Sequence, residues 1–255
     1  MKQKIQQPTL LVFTLGAAVE SRRRRLLPGS LGRAERRLHQ KCLDDVLEAG
    51  RSEGFRLEVS CPRPLTLPSD AQRVSQLGSS FGERLVGALE DGFRRNGSPL
   101  FLVGSDIPDL QSAHLRQAAE HLKKTPRGVV IGPSPDGGIY LLASNLPLGE
   151  LLLRVRWCRS DCRQSLLDEL RRAGLTPFLL EPLSDLDQPS DLEQLLAVSG
   201  RALHRWQLWL APLRSLLASL RRPLPSLFSR PPKPVPVPVR SGRAPPYGCE
   251  PSSWR

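Results

Sequence analysis

The stretch Leu100-Phe101-Leu102-Val103-Gly104-Ser105-Asp106-Ile107-Pro108-Asp109-Leu110 sets the reading of the whole chain. Leu100–Gly104 is an apolar run of strand length, and an acid follows it almost at once. A carboxylate at the end of a buried strand is costly to leave without a partner. A hard divalent cation, Mg²⁺ or Mn²⁺, can supply one, since such ions prefer one or two carboxylates together with phosphate oxygens. Pro108 fixes the turn that follows. The alternative is that Asp106 or Asp109 only supports that turn and the coming helix.

On either side of this stretch the same alternation of periods recurs. Upstream, Thr9–Leu15 reads as a buried strand. Arg33–Ala49 carries Ala34, Leu38, Cys42 and Val46 at four-residue spacing, a single helical stripe. Phe55–Cys61 is β-like, and Pro62, Pro64 and Pro68 then punctuate a loop. Ser80 and Glu83 form a capping box for a helix that places Phe81, Leu85, Ala88, Leu89 and Phe93 on one face. Downstream, a helix covers Ser112–Lys123, and the strands Gly128–Gly132 and Ile139–Ala143 flank Pro133-Ser134-Pro135-Asp136-Gly137-Gly138. Asp161 and Gln164 start a helix that Gly174 stops. Leu175–Leu180 is the last strand, and Ser190 with Glu193 caps a last helix.

Strands separated by helices mean βαβ units, so the fold class is α/β, with a mostly parallel central sheet flanked by helices. Such sheets bind ligands beyond the carboxyl ends of their strands. Asp106, the Asp136 loop and Asp187 all follow strands, so they can converge on one crevice. Taken singly, Asp136-Gly137-Gly138 is equally a tight turn, and Asp185-Leu186-Asp187 equally a helix-entry loop.

The bulk properties narrow the function. The chain has 255 residues and a formal charge of +12, concentrated in Arg22–Arg37 and after Arg201. A positive field suits phosphate-bearing ligands, nucleic acid or anionic lipid, but the chain carries no nucleic-acid recognition module. Five cysteines and four histidines form no metal or disulfide constellation. No P-loop, dinucleotide fingerprint or nucleophile elbow is present, which argues against kinase, dehydrogenase and hydrolase chemistry. No run approaches the about 20 apolar residues of a membrane span, and Thr9–Phe13 is too short for a signal peptide, so the expected location is the cytoplasm. Residues 1–200 are expected to form the folded domain. Residues 201–222 are apolar and basic, with Trp206, Trp209 and Pro212, and either dock on it or form a helix for peripheral membrane or partner contact. The proline-rich 223–255 is expected to be a disordered basic tail.

The pieces in their order, Gln76-Leu77-Gly78, Phe81-Gly82-Glu83-Arg84-Leu85, Gly104 to Leu110, Gly132 to Leu142, Trp157, and Asp185-Leu186-Asp187 with Asp191-Leu192, resemble a bacterial family of glycosyltransferase-A-fold proteins. Its members are described as arsenosugar-biosynthesis glycosyltransferases or are of unknown function. It is similar to the molybdenum-cofactor and 2-phospholactate guanylyltransferases. The resemblance covers roughly Thr9 to Ala197 and implies a nucleotide-diphospho-sugar transferase fold. It implies that Asp106 and Asp187 hold the metal and that Asp136, Gly137 and Gly138 lie by the sugar or acceptor; in the expected glycosyl transfer Asp136 orients the acceptor hydroxyl or acts as its base. Arg23, Arg25 and Ser105 are the implied nucleotide and phosphate contacts. One stretch departs from the pattern. Relatives follow the first strand with a proline-glycine turn and Lys-Thr-Arg-Leu. Here Leu15 to Pro28 keeps Arg23 and Arg25 at the basic positions and lacks the turn.

The leading expectation is glycosyl transfer from a nucleotide sugar to a small-molecule acceptor, with Mg²⁺ or Mn²⁺ as cofactor. The alternatives are a guanylyltransferase-like nucleotidyl transfer that releases pyrophosphate, and a degenerate, non-catalytic binding protein on the same fold.

Overall fold

A computed structural model describes residues 7–97, 99–197, 206, 210–215 and 217. The strands are β1 (Thr9–Phe13), β2 (Arg56–Ser60), β3 (Ala71–Val74), β4 (Leu100–Gly104), β5 (Val129–Pro133), β6 (Ile139–Ser144) and β7 (Phe178–Leu179). The helices are α1 (Ala17–Arg24), α2 (Gly32–Ser52), α3 (Phe81–Asn96), α4 (Ser112–Lys124), α5 (Gly149–Leu153), α6 (Cys162–Arg172) and α7 (Pro189–Ala197). A 3-10 turn, Gly29–Leu31, leads into α2.

The strands form one sheet in the order β3-β2-β1-β4-β6-β5-β7. Neighbours run parallel except at β6, which is antiparallel to both β4 and β5. From β1 the chain moves out to β2 and β3, then returns to the opposite side of β1 for β4. The order therefore reverses between β1 and β4, where open α/β sheets leave a crevice for ligands.

Strand periodicity assigns the two cores. Leu10, Val12, Phe101 and Val103 face one layer, with Val46 and Leu47 of α2 and Leu115 and Ala118 of α4. Leu11, Leu100 and Leu102 face the other, with Leu85 and Leu89 of α3, Leu151 and Leu152 of α5 and Leu166 and Leu170 of α6. The two middle strands are thus buried on both sides, which is why they read as continuous apolar runs.

A third cluster sits on the outer side of α2. Leu38 and Cys42 meet Leu186, Leu192 and Leu195, and Trp206, Leu210 and Leu213 complete it. Of the two readings of residues 201–222, the described part docks: Trp206 is 0% exposed. Trp209 and the rest of that segment, and the expected tail 223–255, lie outside the described residues. Among the described residues no helix is long and apolar enough to cross a membrane.

The capping box at α3 forms as read: Glu83 N–H donates to Ser80 Oγ at 3.2 Å, and Ser80 N–H donates back to the Glu83 carboxylate. Gly174, at φ +67, follows the end of α6. Other elements differ from the sequence reading. The expected strand Leu175–Leu180 pairs only over Phe178–Leu179. The proline-punctuated loop delivers an edge strand, β3, whose Gln72 and Arg73 side chains are exposed and hide its period. The start of α7 is not capped by Ser190. Asp191 reaches back to accept the Asp187 and Gln188 N–H groups at 3.0 and 2.7 Å, and Pro189 occupies the first helical position, where its missing N–H has no cost.

Candidate active site

The sheet topology brings the acids together. Phe13 of β1 pairs with Gly104 of β4, so Thr14 and Ser105 emerge side by side and Asp106 follows at the same edge. Because β6 runs the other way, its first residue, Ile139, pairs with Pro133 at the end of β5. That places the Asp136 turn at the same edge. The segment after β7 crosses to this edge as well, and Leu186 N–H donates to the Asp106 carbonyl at 2.9 Å. Leu186 is buried at 1% exposure while its neighbours, Asp185 and Asp187, both line the cleft. The carboxylate oxygens of Asp136, Asp185 and Asp187 lie within 4.8 Å of one another. Asp106 joins them through Arg24, whose guanidinium contacts both Asp106 and Asp187.

The resulting cleft holds about 1040 Å³ of space, counted out to open solvent. A wall of rings lines the same cleft. Phe13 and Phe81 meet edge to face with ring centroids 5.6 Å apart, and Phe81 and Trp157 pack tilted at 5.9 Å. The Trp157 ring is held by its Nε1–H, which donates to the Leu152 carbonyl at 2.8 Å. The wall therefore presents carbon to the cleft, and the acids present oxygen.

Crowded carboxylates shift one another. Asp185 is pushed up to about 7, first by burial and then by the charges of Asp106 and Asp136, with Arg24 acting against them. His39 of α2 is pushed down to about 4, chiefly by burial; Asp106 acts against the shift and Arg24 with it. Burial and the nearby Asp136 and Asp161 push the Cys162 thiol up to about 12, so it is an inert part of the wall.

The residues singled out from sequence fall as follows. Asp106, Asp136 and Asp187 share the cleft with Arg23 and Gly138. Ser105 lines it too, but its hydroxyl donates to Thr14 Oγ1 at 2.8 Å, and that oxygen accepts Gly16 N–H at 3.0 Å. Ser105 thus shapes the turn after β1. Gly137 faces Ser160: at φ +96, an added Cβ would lie 1.8 Å from the Ser160 carbonyl oxygen. The Gly137 carbonyl accepts Arg163 N–H at 2.8 Å, which ties the turn to the start of α6. Arg25 lies apart from the cleft. The stretch that lacks the proline-glycine turn forms α1, and Arg25 ends it, exposed and in the left-handed conformation, with its side chain turned to the Arg22 carbonyl. One helical position earlier, Arg24 points into the cleft.

Three residues in the cleft were missed: Glu20, Arg24 and Asp185. The sequence signal for Asp185 was available, because two acids flanking a buried leucine in an extended segment share a face. Glu20 and Arg24 required knowing that Ala17–Arg24 is a helix, since only then does a spacing of four put them together. Glu83 and Arg84 also gain a role. The Glu83 carboxylate accepts the Ser79 N–H and hydroxyl at 2.8 and 2.5 Å, and Arg84 Nε donates to the Gly78 carbonyl at 2.8 Å. Together they brace the turn before α3.

A second cavity lies beyond the turn after β1, with Leu15 common to both. It spans about 740 Å³ counted to open solvent, and Arg22, Arg36 and Arg63 line it with the first residues of α1. None of these three guanidiniums is in an ion pair among the described residues.

The donor set fits a hard cation. It consists of carboxylate oxygens alone, converging on one point beside arginines, with no thiolate or imidazole among them.

Comparison with known proteins agrees with this architecture. Residues 38–159 match a family described as uncharacterized proteins conserved in bacteria (DUF2064). No protein of curated function matches the sequence. Among solved structures, a candidate nucleotide-diphospho-sugar transferase from Desulfovibrio desulfuricans G20 is similar over 86% of this chain and 98% of its own. Its identity is 24% and the TM-score 0.72. A 4-diphosphocytidyl-2C-methyl-D-erythritol synthase is similar over 76% and 98%, at 13% identity and TM-score 0.51. A protein of Mycobacterium tuberculosis H37Rv is similar over 77% and 100%, at 17% identity and TM-score 0.50. The chain has the nucleotide-diphospho-sugar transferase-like α/β fold.

Proposed function

We propose that this protein is a divalent-metal-dependent transferase that moves a glycosyl group from a nucleotide sugar to an acceptor hydroxyl. The observation that carries the reading is the convergence of Asp106, Asp136, Asp185 and Asp187 at one sheet edge, beside Arg23 and Arg24. The description of the Desulfovibrio protein as a nucleotide-diphospho-sugar transferase points the same way.

On this reading Asp106 and Asp187, with Asp185, hold Mg²⁺ or Mn²⁺, which when bound supplies positive charge against the departing diphosphate. Arg23 takes diphosphate oxygens. The basic cavity beyond the β1 turn receives the rest of the donor nucleotide. Phe13, Phe81 and Trp157 give the cleft apolar carbon against which the apolar side of a sugar ring can pack. Asp136 accepts the proton of the acceptor hydroxyl as its oxygen becomes bonded to the sugar carbon and the carbon–diphosphate bond breaks.

The test is a thermal-shift screen of nucleoside diphosphates, triphosphates and nucleotide sugars, with and without Mn²⁺, on wild type and Asp106→Ala. A ligand at a hundred times its Kd stabilises by about 2.7 kcal/mol. The reading expects a metal-dependent shift with one nucleotide class that Asp106→Ala abolishes. No shift with any nucleotide from a folded protein would favour a non-catalytic binding role. Product analysis then separates the two transfers, since glycosyl transfer releases a nucleoside diphosphate and nucleotidyl transfer pyrophosphate.

A further inference from the structure

Two residues of α1 bring opposite charges into the cleft. Glu20 is 6% exposed, and its carboxylate accepts the Leu15 N–H at 3.3 Å. The same carboxylate lies 3.7 Å from Arg23 and 3.5 Å from Arg24. A backbone N–H at a strand end, with guanidiniums beside it, is an anion site, and here an internal anion fills it. Arg24 does the converse. Its guanidinium contacts Asp106 and Asp187, so an internal cation occupies the ground between those acids. Both side chains line the cleft.

We propose that Glu20 and Arg24 determine specificity for the intact chelate of a divalent cation with a diphosphate, and discriminate against either component alone. The proposal rests on the transferase reading above. A free cation must dislodge Arg24 from its aspartates while Glu20 still holds the anion position. A free diphosphate must dislodge Glu20, leaving its carboxylate beside the aspartates of the cleft with no added cation. The chelate replaces both at once. The displaced pair stands four residues apart on one helix and already touches, so each charge keeps the other as a partner when it leaves.

The experiment titrates Mn²⁺ alone, inorganic pyrophosphate alone, and the two together into wild type, Glu20→Gln and Arg24→Gln. Thermal shift and the electron paramagnetic resonance signal of free Mn²⁺ are the readouts. Wild type is expected to bind each component at least about tenfold more tightly in the presence of the other. Arg24→Gln is expected to gain about tenfold for Mn²⁺ alone, and Glu20→Gln about tenfold for pyrophosphate alone. Independent binding of the two probes by wild type, which needs no variant, overturns the proposal. So do variant affinities equal to or below those of wild type. Those results leave the transferase reading standing. A protein that binds neither probe, alone or together, in any of the three forms removes both.

Discussion

A Cβ added at Gly104 would lie 2.9 Å from the Asp106 Oδ1 atom. The last residue of β4 is a glycine because the acid two residues on curls back over it. Gly104→Ala is therefore expected to turn the Asp106 carboxylate away while leaving the strand intact. Unfolding free energy should change by about 1 kcal/mol or less, and the affinity for Mn²⁺ with nucleotide should fall about tenfold, equivalent to about 1.4 kcal/mol. Paired urea titration and Mn²⁺ binding would check this; an unchanged affinity would mean that the Asp106 side chain takes no part in the site.

Gly137 is held more tightly. Its φ of +96 and its contact with Ser160 both exclude a side chain. Gly137→Ala should lower stability by about 2–4 kcal/mol, read from the urea midpoint at constant m-value. It should also loosen the Asp136 turn, because α6 is anchored to the Gly137 carbonyl.

Two groups give stability opposing pH dependences. Asp185 titrates in the folded protein near 7 against an ordinary 3.8, so the folded form holds the extra proton between these values. Its contribution is fully present below about 3.8 and is lost as pH rises through 7. His39 titrates near 4 against an ordinary 6.5, so the unfolded form binds the extra proton. Its contribution is present above 6.5 and is lost as pH falls through 4. Asp185→Asn should make the protein relatively more stable at pH 7.5 than at pH 5, compared with wild type. His39→Gln should flatten the acid limb. Melting temperatures from pH 4 to 8 test both; parallel curves for all three proteins would refute the assignments.

The brace before α3 offers a plain stability test. Ser80→Ala removes the acceptor for Glu83 N–H and should cost about 1 kcal/mol. Glu83 is exposed and accepts from Ser79 and Ser80 as well. Gln at position 83 keeps an acceptor oxygen and loses the charge, so a Glu83→Gln as costly as Ser80→Ala would show that the charge carries the contribution, and a Glu83→Gln of little cost that the hydrogen bonds do.

Local signals in the chain account for most of the elements. Buried runs mark β1, β4 and β5, the Ser80–Glu83 box starts α3, and Gly174 ends α6, because capping and strand period act within a few residues. The same locality explains the misses. β3 pairs over four residues, too short to show a period, and β7 over only two of the six read as a strand. In Leu15–Pro28 a run of arginines gives no apolar stripe, so α1 is invisible, and with it the exchange of Arg25 for Arg24.

Read alone, then, the sequence specifies an α/β chain with acids at several strand ends. That these acids meet is a property of the folded arrangement. It depends on the antiparallel β6, which turns the Asp136 loop toward the end of β4, and on the Leu186 N–H that carries Asp185 and Asp187 to the Asp106 carbonyl. Both are contacts between residues far apart in the chain. Their energy comes from pairing and burial that exist only once the sheet has formed, so no local pattern records them.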